Sequence, residues 1–216
     1  MSDISHQTKT PLSNILLYTQ LLRERVLDEQ SAQLVNEIKV QSEKLAFLIQ
    51  SLVKISRLET GTFQLSPGTN DLNGLIWSVT EQIAPAAKGK DITILYDPVS
   101  QTAVFDSKWT AEALFNILDN AVKYTPEHGR IEINVKAFEM FSCISVSDSG
   151  IGISEEDLDR IWNRFYQADH SRSDESRGVG LGLSLAQQIA RLHGGRITAS
   201  SWLGEGSEFI FSMPGA

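Results

Sequence analysis

The sequence predicts a helical hairpin followed by an α+β sandwich, with helices on one face of a mixed sheet. Three observations carry that class. Apolar residues recur at helical spacing over 2–27 and again over 31–58, with a short polar turn between. The stretch "LETGTFQLSPGTND" at 58–71, with its glycines and Pro67, interrupts the pattern and marks a boundary. Beyond it, helical segments are mixed with runs of period two.

The first helix has a direction. Taking His6 as zero at about 100° per residue, Ile4, Leu12, Ile15, Thr19, Leu22 and Val26 fall between roughly 160° and 240°. His6 lies opposite that stripe, with Thr10 about 40° round on the same exposed face. Pro11 cannot donate to the carbonyl of Gln7, so a bend is expected just after the histidine. "VLDEQ" at 26–30 is the turn. The second helix, 31–58, carries Val35, Ile38, Leu45, Leu48, Ile49, Leu52 and Ile55. A lone hairpin has too little interior for two apolar stripes. Pairing with a second copy into a four-helix bundle would bury them.

The second part reads in order. Residues 72–87 are helical, "ITILYD" at 92–97 is a strand, and 107–123 form a helix. "RIEINVKA" and "FSCISVSD" alternate and make a hairpin. "SEEDLDRIW" is a short helix capped by Ser154, with Asp157 at the capping-box distance. Residues 180–193 are helical and end at Gly194 and Gly195. "RITASS" and "GSEFIFSM" are closing strands.

Composition narrows the function. Hydrophobic residues make up 41%, enough for a core. A net charge of −8 argues against nucleic acid or an anionic membrane as the main partner. The single cysteine, Cys143, allows no internal disulfide and fits a reducing compartment. No run approaches a membrane span and no signal-peptide pattern opens the chain. The start lies almost on a helix with a candidate reactive histidine, which suggests a fragment cut from a longer protein.

Three segments carry chemistry. "DSGIG" at 148–152 follows a strand, and Asp148 is placed to accept a hydrogen bond from a flat ligand such as a purine amino group. "GVGLGL" at 178–183 opens a helix, where amides and dipole can hold phosphates. Glycine pairs often serve only as turns, but two such loops at element ends favour a nucleotide. In "NILDNAVKY", Asn116 and Asn120 share a helical face and offer neutral oxygens to a Mg²⁺ that already carries phosphate. Lys123 can reach a phosphate. Solvated surface asparagines are the bland alternative, weakened by the apolar Leu114, Phe115, Ile117 and Leu118 around them. Between the glycine loops, "RFYQADHSRSDESR" at 164–177 reads as a lid with Phe165 and Tyr166 as its anchor.

Taken in order, these motifs resemble the catalytic core of a two-component sensor histidine kinase. "SHQTKTPL" resembles the H-box, "NILDNAVKY" the N-box, "DSGIG" and "GVGLGL" the two G-boxes, and "RFYQ" the F-box. The resemblance implies a dimerisation and histidine-phosphotransfer domain at 1–66 and an ATP-binding domain of the gyrase and histidine-kinase type at 67–216. It makes His6 the phosphoacceptor and Thr10 a residue for removing phosphate from the partner. Asn120, assisted by Asn116, is then the magnesium ligand, Lys123 a phosphate contact, Tyr124 a wall of the adenine pocket and Asp148 the adenine acceptor. Gly150, Gly152, Phe165, Gly178, Gly180, Leu181 and Gly182 complete the nucleotide site. The implied cofactors are ATP and Mg²⁺. The implied partners are a second copy, through residues 2–58, and a response-regulator receiver domain, with no nucleic acid and no membrane contact by this fragment. A cytoplasmic location is expected, with the full-length protein a membrane-anchored sensor.

Two departures stand out. Gln7 occupies a position where many members carry a carboxylate able to take the imidazole proton. Gln167 stands where an arginine often follows the F-box aromatics, and Arg172 is a candidate to supply that charge. Two rival readings remain: a gyrase-type ATP hydrolase, and a non-catalytic dimerisation module that binds ATP as a signal. The hydrolases carry a glutamate where Asn116 stands.

Overall fold

The computed structural model describes residues 2–25, 28–60, 65–168 and 179–215, with side chains from residue 10 onward apart from Glu59. Two compact units divide the chain, Met1–Thr62 and Phe63–Ala216.

The first unit is the hairpin of α1 (Ser2–Arg23) and α2 (Glu29–Glu59), packed against each other. α1 runs through Pro11 as one helix and stops earlier than the predicted residue 27. Its end tightens, with Arg25 N–H donating to Leu22 O at 3.1 Å. α2 begins two residues earlier than predicted because Asp28 caps it, accepting from Ser31 N at 2.9 Å and Ser31 Oγ at 2.7 Å. Val26, read as part of the first stripe, lies outside the described residues.

The predicted stripes split into two lines. Leu12, Thr19, Val35 and Ile55 are buried, while Ile15, Leu22, Ile38, Leu45 and Leu52 stay exposed. Thr19 is tolerated inside because its Oγ1 donates to Leu16 O at 2.8 Å. Ile15 and Leu22 are seven residues apart, as are Ile38, Leu45 and Leu52. Each exposed set therefore runs along one side of its helix.

The second unit is a five-stranded sheet in the order β2-β4-β5-β7-β6. Its strands are β2 (Thr93–Tyr96), β4 (Arg130–Ala137), β5 (Phe141–Asp148), β6 (Arg196–Trp202) and β7 (Gly206–Pro214). β2 and β4 run parallel and the other pairs antiparallel, so the sheet is mixed. Strand alternation sends Ile131, Ile133, Ile144, Val146, Phe209 and Phe211 to one buried face. α3 (Leu72–Gly89), α4 (Ser107–Tyr124) and α6 (Gly182–Leu192) supply the helical layer against it. α5 (Glu155–Leu158) is the short helix, with Ser154 Oγ accepting from Asp157 N at 3.2 Å.

Two strands were not anticipated. β1 (Gly68–Asp71) and β3 (Thr102–Phe105) form a separate antiparallel ribbon. β1 falls inside the stretch read as a pure boundary. "GTND" has no apolar residue, so neither period nor β-propensity announces it. α6 also starts at Gly182 rather than 180, because Gly180 takes a φ of 72° that a right-handed helix excludes.

Candidate nucleotide site

α4 is the centre of the site. Its apolar side, with Trp109, Ala113, Leu114, Ile117, Leu118 and Ala121, is buried in the core. Asn116, Asn120, Lys123 and Tyr124 of the same helix are half-buried. At its start, Asp106 Oδ1 accepts from Lys108 N and Trp109 N, both at 3.1 Å. Its other oxygen accepts from Ser66 N at 2.9 Å.

Asn116 Nδ2 donates to Glu112 O at 2.8 Å, which fixes the orientation of its amide. Asn116 Oδ1 then lies against α6: a Cβ on Gly182 would sit 2.7 Å from it. Lys123 Nζ forms an ion pair with Asp119, one turn earlier on α4.

The first glycine loop packs on the end of α4. Ile151 N–H donates to Tyr124 O at 3.2 Å. A Cβ on Gly150 would fall 2.7 Å from that same oxygen. Gly152 adopts a φ of 70°, and a Cβ there would be 2.0 Å from Trp202 O, so no other residue fits. Asp148 Oδ1 accepts from Gly150 N at 2.8 Å and from Ser207 N at 3.3 Å. Both bonds fall on one oxygen, leaving Oδ2 available. Burial pushes the Asp148 carboxyl above its ordinary value, against the smaller pull of the Gly150 and Ser207 amides.

The start of α6 forms the other side. Asp28, Asp71, Asp106 and Ser154 cap α2, α3, α4 and α5, but no side-chain hydrogen bond caps α6. Its first amides and positive dipole end therefore suit an anion. Leu181, expected as a ligand contact, sends its side chain into the core at 1% exposure; only its backbone is left for a ligand. Phe165 N–H donates to Gly180 O at 2.8 Å, tying the aromatic anchor to the second glycine loop. Tyr166 Oη donates to Asp157, and the Arg160 guanidinium lies 4.5 Å from the Tyr166 ring centroid. Phe165 is 54% exposed with a φ of 63°.

Thus Asn116, Asn120, Lys123 and Tyr124 lie on α4, Asp148 ends β5, Gly150 and Gly152 lie in the loop bonded to the end of α4, Phe165 is bonded to Gly180 just before α6, and Gly182 starts α6. Gly178, Arg172 and most of the predicted lid lie outside the described residues. So does the His6 side chain, and with it the expectation of its exposure; the backbone of His6 is in α1, and Thr10, one turn on, is exposed. Among the described residues no group of three His, Cys, Asp or Glu could hold a metal. A magnesium ion would depend on asparagine oxygens together with the phosphates it arrives with. Sequence reasoning missed Ser207 and Asp106. Ser207 could be found only by knowing that β7 pairs with β5.

The family model described as histidine kinase-, DNA gyrase B- and HSP90-like ATPase matches residues 105–216, over half of the chain. That described as His Kinase A (phospho-acceptor) domain matches residues 1–61. The sensor protein kinase WalK of Staphylococcus aureus is 29% identical over 227 residues, covering 99% of this chain and 52% of that protein. The chain thus spans about half the length of that relative, and 36% of longer forms. The crystal structure of full-length ShkA in complex with AMPPNP superposes with a TM-score of 0.83 at 29% identity, over all of this chain and 45% of that one. The histidine kinase AdeS of Acinetobacter baumannii shares the fold, with a TM-score of 0.71 at 20% identity over 97% of both chains. No helix among the described residues is long and apolar enough to cross a membrane.

Proposed function

The chain belongs to the family of histidine kinase-, DNA gyrase B- and HSP90-like ATPases, as the catalytic core of a two-component sensor histidine kinase, and from that premise we propose that it phosphorylates His6 from ATP and passes the phosphoryl group to an aspartate of a response-regulator receiver domain. Residues 1–66 serve as the dimerisation and phosphotransfer domain and 67–216 as the ATP-binding domain. The reaction runs in the cytoplasm, in a sensor whose remaining segments anchor it to a membrane.

One observation above all supports the nucleotide reading. Asn116 Oδ1 stands against the first turn of α6, whose start has no side-chain cap. A polyphosphate bound there would meet free amides on one side and asparagine oxygens on the other. Asp148 Oδ2 would accept from the adenine amino group beside Tyr124, and Lys123 would exchange Asp119 for a phosphate oxygen. A magnesium ion held by Asn120 and Asn116 would neutralise phosphate charge.

In the transfer, a bond forms between an imidazole nitrogen of His6 and the γ-phosphorus. The bond from that phosphorus to the bridging oxygen breaks, ADP departs, and the imidazole proton leaves to water or a neighbouring base. Gln7 cannot take it. Positioning and charge neutralisation carry the rate. Thr10 serves a separate reaction, the removal of phosphate from the regulator, in which water attacks the aspartyl phosphate and inorganic phosphate and the free carboxylate are released. Asn116, whose amide bonds its own helix, has no basicity to activate water against ATP, so hydrolysis is disfavoured.

Incubation with γ-labelled ATP tests this. Acid-labile, base-stable label is expected on the wild type, absent from His6→Gln, and lost in Asn120→Ala with the fold retained. Labelling of Asn120→Ala at the wild-type rate would remove the metal assignment. Phosphate release without labelled protein would favour the hydrolase reading, and binding without turnover the signal-module reading.

A further inference from the structure

The carbonyls that end α4 can be followed one by one. Ala121 O accepts from Thr125 N at 3.0 Å. Val122 O, Lys123 O and Thr125 O accept from Lys90 Nζ at 2.8, 3.0 and 2.6 Å. Tyr124 O, the carbonyl between them, accepts Ile151 N–H from the first glycine loop. An ammonium has three donors, and three carbonyls at the negative end of a helix dipole receive them.

Lys90 is itself fixed. Its N–H donates to Ala87 O at 3.1 Å at the end of α3, and its carbonyl accepts from His128 N at 3.0 Å. Thr93 N–H donates to Gly129 O at 3.0 Å just beyond. The lysine therefore grows from a backbone bound to the segment after α4, and its side chain reaches back onto the helix end.

We propose that Lys90 is a positioning residue for the nucleotide site. It gathers the carbonyls of residues 122, 123 and 125, so that the carbonyl of Tyr124 stays directed at the first glycine loop. Lys123 and Tyr124 on α4 and Asp148–Gly152 on the loop are thereby held as one surface. Lys90 touches no substrate; it acts through the helix end. Without its ammonium, those carbonyls need other donors, the last turn of α4 loosens, and the bond from Ile151 to Tyr124 is lost or shared. This inference rests on the nucleotide reading of the site.

The test measures Mg-AMPPNP affinity by calorimetry, with melting temperature, on the whole chain. The wild type is compared with Lys90→Met, Lys90→Arg, and Ile197→Val as a core variant on β6 away from the site. Lys90→Met is expected to fold, with a lower melting temperature and an affinity weaker by about fivefold or more. Lys90→Arg should recover most of that loss, and Ile197→Val should lower the melting temperature with affinity unchanged. If Lys90→Met does not fold, Lys90→Gln, which keeps a shorter donor, takes its place with the same expectation. A folded Lys90 variant lacking the ammonium but binding as tightly as wild type overturns the assignment. Failure of the wild type itself to bind would overturn the nucleotide reading instead, so the two are told apart.

Discussion

At Asp148, one carboxylate oxygen takes two backbone amides while burial raises the energy of the charge. The folded state therefore holds the proton more tightly than the unfolded chain does. Stability is lost as pH rises from the ordinary carboxylate range through the raised folded value. An asparagine keeps the Oδ1 acceptor and removes the charge. Asp148→Asn is thus expected to be more stable than wild type at pH 7, with the two converging in acid; urea unfolding across pH measures this. The same variant should bind ATP more weakly, because its amide sets a donor where the adenine amino group needs an acceptor. Asp148 was legible in "DSGIG" as an acid at a strand end. Its second amide, from Ser207, was not, because only the β5–β7 register sets the two opposite each other.

α4 is anchored at its start as well as its end. Asp106 holds three amides there, and its own N–H donates to His193 Nε2 at 3.0 Å. With Nε2 accepting, His193 is the neutral tautomer whose Nδ1–H donates to Ile189 O at 2.9 Å. The C-terminus of α6 is so joined to the N-terminus of α4. Asp106→Ala removes the cap and should cost about 1–2 kcal/mol in denaturant unfolding, with Asp106→Asn costing less. At this scale the strong periods were readable: α4 and the β4–β5 hairpin fall within one residue of expectation. β1 and β3 were not, since four residues in a ribbon show no repeat. Lys90 and His193 were equally silent. Each acts on helix ends distant in sequence, and nothing local distinguishes either from a surface lysine or a helix-end histidine.

For the whole chain, the apolar side chains of the hairpin are the exposed debt. Ile15, Leu22, Ile38, Leu45 and Leu52 are each at least 40% exposed in a single copy. Burying them against a second hairpin is favourable by about 25 cal/mol per Å² of apolar surface. Sedimentation at micromolar concentration is expected to report twice the chain mass; a monomer there would remove the dimer. Leu45→Glu, on the exposed line, should shift the equilibrium toward monomer. The two stripes were legible as apolar, but not which residues face the hairpin partner and which remain outside. That division depends on how α1 and α2 turn toward each other. The sheet order has a different consequence. β4 and β5 meet across a three-residue connection, 138–140, and can pair early. β5 reaches β7 only after 149–205 have been crossed, and the Asp148–Ser207 contact lies in that late seam. On the ribosome, then, a chain that holds every N-box and G-box residue but not yet β7 is expected to be deaf to nucleotide, and to acquire hearing only when β7 has emerged and closed the sheet.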